Sequence, residues 1–180
     1  MSLKLRDLTE DVVLGSIQDF YDHTSGFMER LAKIIANQTY TVQKSPRRRG
    51  VAEFPYFYAV ELYELFEFAR ARHNASASYI DKRCDEVLAI LHTTVLGRQV
   101  EPDWAEFGQS PMGLCLLACR ARVKLRREED WLSADDVLLL ASWEQRHFER
   151  SGLVATDTED GPRYASADVR KALQSQGIAV

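Results

Sequence analysis

Apolar residues recur at spacings of three and four near the start of the chain: Leu8, Val12, Val13, Ile17, Phe20, Tyr21, Phe27, Met28, Leu31, Ile34 and Ile35. That period sets them on one buried stripe of a long helix. Thr9 offers a hydroxyl to the orphan amides at its start, and Glu10 and Asp11 suit the positive end of its dipole. Asp19, Asp22 and Arg30 fall off the stripe and mark the wet side. The pattern dissolves between Gln38 and Pro55, where two prolines, a glycine and the run Arg47-Arg48-Arg49 predict an exposed loop.

Three more helices follow from the same reading. Tyr56 to His73 places Tyr58, Leu62, Leu65, Phe66 and Ala69 inward. The alternation Leu62, Glu64, Phe66, Phe68 also suits a strand, but the length without a breaker favours a helix. Ala75 to Gly97 is the third, capped by Ser76 or Ser78, with Ile80, Cys84, Val87, Leu88, Leu91 and Val95 inward and Gly97 as its stop. Arg98 to Gln109 is a connection, folded back over the bundle by Trp104 and Phe107. Ser110-Pro111 then opens a fourth helix, because proline is tolerated in a first turn. It ends in Arg120, Arg122, Lys124, Arg126 and Arg127, the densest positive patch of the chain, before Glu128-Glu129-Asp130.

Beyond Trp131 the elements become short. Ser133 with Asp136 three positions on forms a capping box ahead of Val137, Leu138, Leu140 and Ala141, so a helix starts at Ala134. Ser142-Trp143 marks a turn, and "EQRHFERSG" is a second short helix closed by Gly152. Phe148 faces inward there, leaving Gln145, Arg146, Glu149 and Arg150 outward. "VATDTEDGPRYAS" alternates around Asp160-Gly161, a hairpin turn signal, with Arg163 just past it. Ser166 then caps a last helix whose Val169 and Leu173 pack back on the core.

In Leu132-Ser133, Asp136-Val137, Arg146 to Gly152, Gly161 to Tyr164 and Asp168-Val169-Arg170, this order resembles the excisionase and MerR-like winged helix-turn-helix families. The bulky Trp143 departs from the small residue those families carry at the turn. The resemblance covers about a quarter of the chain and implies sequence-specific DNA binding through the second helix and the wing. Arginine can bond guanine and glutamine adenine in the major groove. The DNA-contacting set it points to is Gln145, Arg146, Glu149, Arg150 and Arg163, joined by Arg122 and Arg126 from the basic helix end.

Charge changes this picture. From Arg126 to Val180 there are 7 lysines and arginines against 11 acids, a net of −4, whereas the residues before balance at 16 against 16. An acidic module is a poor polyelectrolyte binder, so DNA contact needs focused patches or a second subunit. The three cysteines, Cys84, Cys115 and Cys119, are read as free thiols in a cytoplasmic protein. Cys115 and Cys119 share a helix face but make only half a zinc site. Glu61, Glu64 and Glu67 read as a solvent row, and His23, His73 and His92 as packed or solvated histidines. No apolar run approaches the roughly 20 residues needed to span a bilayer.

The sequence shows no nucleophile elbow, phosphate-cradling glycine loop, paired-histidine metal motif or dinucleotide fingerprint. The expectation is therefore a mainly α, non-enzymatic, cytoplasmic protein without cofactor or metal. A helical bundle over 1–125 serves dimerisation or partner binding, and a winged helix-turn-helix over 126–180 contacts DNA as a transcriptional regulator. The rival reading is a protein–protein adaptor or inhibitor that uses the aromatic helical half and keeps the helix-turn-helix as structure only.

Overall fold

In a computed structural model the described residues are 4–36, 59–92, 100–127, 131–142 and 148–178, with backbone alone for 27–36 and 59. The loop expected over 38–55, together with Tyr58, Val95, Gly97 and Trp143, lies outside them, as do the side chains of the second half of the first stripe.

A 3-10 turn, Leu5–Asp7, leads into α1, Glu10–Ala36. Three further helices build the first half: α2, Ala59–Ala69, α3, Ala77–His92, and the single turn α4, Trp104–Phe107. Ser76 is the cap of α3, its hydroxyl accepting from the Tyr79 amide at 3.3 Å. Leu62, Leu65, Phe66 and Ala69 are buried as the period predicts, and Phe68 joins them at full burial. The strand-like alternation of α2 has this physical origin, for the helix is wrapped by α1, α3 and α5 and buries more than one face. Trp104 and Phe107 of α4 lie against the same core.

The axis of the molecule is α5, Pro111–Arg126. Ser110 caps it, accepting from the Gly113 amide at 3.0 Å, and Pro111 occupies the first turn, where its missing amide leaves no hydrogen bond unmade. Its N-terminal three quarters, from Met112 to Val123, contribute to the core shared with α1, α2 and α3. Ala121 and Leu125 belong instead to a second core with Leu132, Val137, Leu140, Phe148, Tyr164, Val169 and Leu173. The position expected to divide the two halves, after residue 125, thus falls at the end of a helix whose side chains serve both cores.

The second half follows in the order β1, Trp131–Ser133; α6, Ala134–Ala141; β2, Thr156–Thr158; β3, Gly161–Ala165; and α7, Ser166–Ser175. The three strands form one antiparallel sheet in the order β1-β3-β2. Leu132 stands opposite Tyr164 and both are buried, which fixes the register, since a slip by one residue would turn each to the other face. The sequence reading missed β1, because three residues hold too little alternation to register. The hairpin reverses through Glu159 and Asp160, and Gly161, at φ 97, follows as the left-handed residue opposite Thr158.

Both halves of the predicted capping box form: the Asp136 amide donates to Ser133 Oγ at 3.1 Å and the Ser133 amide to Asp136 Oδ2 at 3.0 Å. Lys124 Nζ adds a second bond to the same carboxylate at 2.9 Å, tying α6 to α5. Ser133→Ala is expected to cost about 1 kcal/mol and Asp136→Ala about 2 kcal/mol, because the acid holds two elements and the hydroxyl one. Urea denaturation midpoints of the two variants check the order. Ser166 corrects the reading of the last helix. It is the first helical residue rather than the cap, and its hydroxyl donates to the Arg127 carbonyl at 2.9 Å, closing the link between α5 and α7.

Candidate nucleic-acid interface

The surface in question is built outward from the second core. α6 ends at Ser142, whose backbone is left-handed at φ 50, and its amide closes on the Leu138 and Leu139 carbonyls. The chain is next described at Phe148, which is buried with its ring 5.1 Å from that of Tyr164 and nearly perpendicular to it. This inward anchor leaves Glu149 and Arg150 exposed, as expected. Gln145 and Arg146 lie outside the described residues. Arg163 stands on β3 between Ser133 and Thr156, with a guanidinium nitrogen 3.8 Å from Asp160. The hairpin that carries it is acidic, with Asp157, Glu159 and Asp160 all exposed.

The basic end of α5 has a different fate from the one expected. Arg122 is only 6% exposed, and its Nε donates to the Ala69 carbonyl at 2.8 Å, so it ties α5 to the end of α2. Burial pulls its pKa down to about 10, which still leaves it a cation at neutral pH. Arg126 bonds Asn74 Oδ1 at 3.1 Å and the Ala75 carbonyl at 2.7 Å, with its guanidinium 4.5 Å from the centre of the Phe68 ring. Both side chains are held by the fold rather than projected as part of a DNA-contacting surface. A cation in a helix end can be held by the fold as readily as by solvent, and sequence alone does not distinguish the two.

The neighbours share that fate. Arg120 reaches Asp85 at 3.2 Å and lies over the Trp104 ring, Arg127 bonds Asp81, and Lys124 holds Asp136. The positive run therefore stitches α5 to α3, to the α2–α3 connection and to α6. Arg170 of α7 also turns back, donating to the Leu125 carbonyl.

The groups that invite other chemistry are likewise taken up. Glu64 accepts from the Tyr79 hydroxyl at 2.6 Å, which, with burial, raises the tyrosine pKa, and Glu67 pairs with Arg70 at 2.9 Å. Among the described residues no three His, Cys, Asp or Glu side chains gather as a metal-binding group. The three thiols are buried and free; Cys119 donates to the Leu65 carbonyl, and burial pushes its pKa up. For Cys84 the hydrogen bond with Cys119 comes first and burial second, in the same direction.

A cleft of about 200 Å³ brings His23 and Asp19 together with Ser16, Phe107 and Ser110. Its hydroxyls are committed to the backbone, Ser16 to the Val12 carbonyl and Ser110 to that of Phe107. No nucleophile is poised there among the described residues. His92 packs edge-on against Phe107 at 4.9 Å, and burial, with His23 nearby, lowers its pKa.

Among the described residues no helix is long and apolar enough to cross a membrane. Comparison of the chain with protein-family models, with curated proteins and with solved structures finds no match.

Proposed function

We propose that residues 131–178 form a winged helix-turn-helix that contacts double-stranded DNA, with the helical half serving dimerisation or partner binding. The observation that carries this reading is the order strand, helix, left-handed turn, Phe148 anchor, hairpin and closing helix around one core. A helix anchored by one inward aromatic presents its opposite face outward, and the hairpin beside it supplies a second contact. Docking of this kind sets one helix in the major groove and lets the flanking hairpin reach the backbone.

The electrostatics limit what one protomer achieves. With the α5 cations committed internally, three arginines remain for phosphates: Arg146, Arg150 and Arg163. The Arg163–Asp160 pair joins a half-exposed side chain to an exposed one at 3.8 Å. Such a pair contributes at most about 1 kcal/mol and yields to a phosphate. Three neutralised phosphates give a slope of log K against log salt near −3 per protomer, shallow for a DNA-binding protein. Fluorescence anisotropy of the full chain on labelled duplexes between 50 and 200 mM salt, roughly the range over which such slopes resolve, measures it. Arg150→Ala and Arg163→Ala should each flatten the slope by about one. A complete lack of binding at the low-salt end, or slopes untouched by both substitutions, would sink the proposal.

A second reading, a protein-contacting module, draws support from one observation. Trp131, at the start of edge strand β1, and Val154, two residues before β2, are 46% and 80% exposed, and the exposed acids Asp157, Glu159 and Asp160 gather at the other end of the hairpin. Exposed apolar side chains with an acidic hairpin tip suit a basic protein surface better than a phosphate backbone. Loss of DNA binding in every condition, together with capture of a basic partner that Trp131→Ala abolishes, decides for it.

A further inference from the structure

Four arginines from three separate segments converge on one cleft of about 390 Å³ at the seam between the two halves. Arg6 comes from the 3-10 turn, Arg70 and Arg72 from the end of α2, and Arg122 from α5. Thr9 and Glu10 at the start of α1 complete the rim, and Leu140 of α6 reaches it from the second core. We infer that this cleft binds a small phosphoryl anion, held by arginines of the helical bundle beside the C-terminal module. The inference stands apart from the DNA reading, since no residue of the DNA-contacting set except the buried Arg122 lines the cleft.

The cleft is graded from a fixed interior to a free rim. Arg122, at 6% exposure, is anchored by its bond to the Ala69 carbonyl, and Arg70 is held by Glu67 at 2.9 Å. These two side chains are already ordered, so an anion that meets them forfeits little side-chain entropy. Arg72 is exposed, and Arg6 is exposed beside Asp7 at 3.9 Å, so both can swing onto a bound group. The first turn of α1, a helix of 27 residues, adds the positive end of its dipole.

Four guanidinium groups against Glu10 in the lining, Glu67 paired with Arg70 and Asp7 beside Arg6 leave the cleft with a surplus of one positive charge. Arg122 also loses part of its preference for the charged form to burial and to the nearby charge of Arg126, and an anion alongside would restore it. A tetrahedral phosphoryl group offers three oxygens in different directions, which suits donors arriving from three segments. A planar carboxylate is saturated by one bidentate arginine. Chemistry and geometry therefore favour phosphoryl over carboxylate.

The test is titration of the full chain with pyrophosphate at constant ionic strength, followed by amide chemical shifts and by Tm. Saturable binding is expected, with shifts at Thr9, Glu10, Arg72 and Leu140 and a rise in Tm because the anion binds only the folded chain. Arg72→Glu should weaken binding by about tenfold or more, reading an exposed side chain that the fold does not need. Lys171→Glu, the same charge change on the exposed face of α7, should leave the affinity unaltered. Citrate should bind at least about tenfold more weakly than pyrophosphate. Unsaturable binding, or an equal loss in Lys171→Glu, overturns the site; citrate binding as tightly as pyrophosphate overturns the phosphoryl assignment.

Discussion

Replacing Gly113 by alanine is expected to cost about 3 kcal/mol of stability, a fall in Tm of roughly 6–12 °C for a chain of this size. A Cβ at Gly113 would sit 1.9 Å from the Phe107 carbonyl oxygen and 2.5 Å from its carbon, both backbone atoms that cannot rotate away. The last turn of α4 must therefore move off α5. That movement strains the Ser110 cap, whose hydroxyl donates to the same Phe107 carbonyl at 2.7 Å while accepting from the Gly113 amide. It also disturbs the packing of Trp104 and Phe107, with rings 5.6 Å apart, over the first core. The intrinsic preference of helices for alanine returns only about 1 kcal/mol. Urea unfolding with an unchanged m-value and a lowered midpoint is the expected signature. A wild-type midpoint would show that α4 is free to shift without loss.

That close approach illustrates where the sequence was silent. Helices announce themselves because burial of one stripe requires a period, so α1, α2 and α3 are legible from their apolar spacing. Caps were legible because Ser110 with Pro111, and Ser133 with Asp136, bring donor and acceptor together within one turn. Gly113 carries no such signal, since its role depends on a carbonyl six residues earlier that only the folded chain sets against it. Strand β1 was illegible for a related reason. It owes its existence to pairing with β3, some thirty residues later, and Trp131-Leu132-Ser133 alone says nothing of that partner.

The candidate site divides along the same line. The inward Phe148, the outward Arg150 and the hairpin with Arg163 follow local patterns and are found where those patterns put them. Arg122 and Arg126 were assigned by the charge of a short run, and a run of charge does not record its partners. Their carbonyl acceptors, at Ala69 and Ala75, lie about fifty positions upstream. The arginine cleft was invisible for the same reason. Arg6, Arg70, Arg72 and Arg122 share no spacing, and only the packing of α1 and α2 against α5 makes them neighbours.

Arg122 also carries the second large effect. Arg122→Ala is expected to lose about 3 kcal/mol and Arg122→Met about 1 kcal/mol, measured by urea denaturation. The alanine variant removes the donor to the Ala69 carbonyl at the end of α2 and leaves the volume of the side chain empty. Methionine fills most of that volume and removes the hydrogen bond. It also removes a cost. The pKa of Arg122 is lowered from the usual guanidinium range to about 10 chiefly by burial, so the folded state holds that proton less firmly than the unfolded one. The penalty is fully present below about pH 10 and is relieved only as pH rises towards the unfolded value, so it stays constant across the neutral range. The methionine variant should therefore show the same flat pH profile between about pH 6 and 9. If it proves as stable as the wild type, the hydrogen bond to Ala69 and the burial of the charge cancel, and stability gives no reason for an arginine at 122. The anion cleft would then be the reason left standing, and pyrophosphate affinity in that same variant, which folds, would measure how much of the binding its guanidinium supplies.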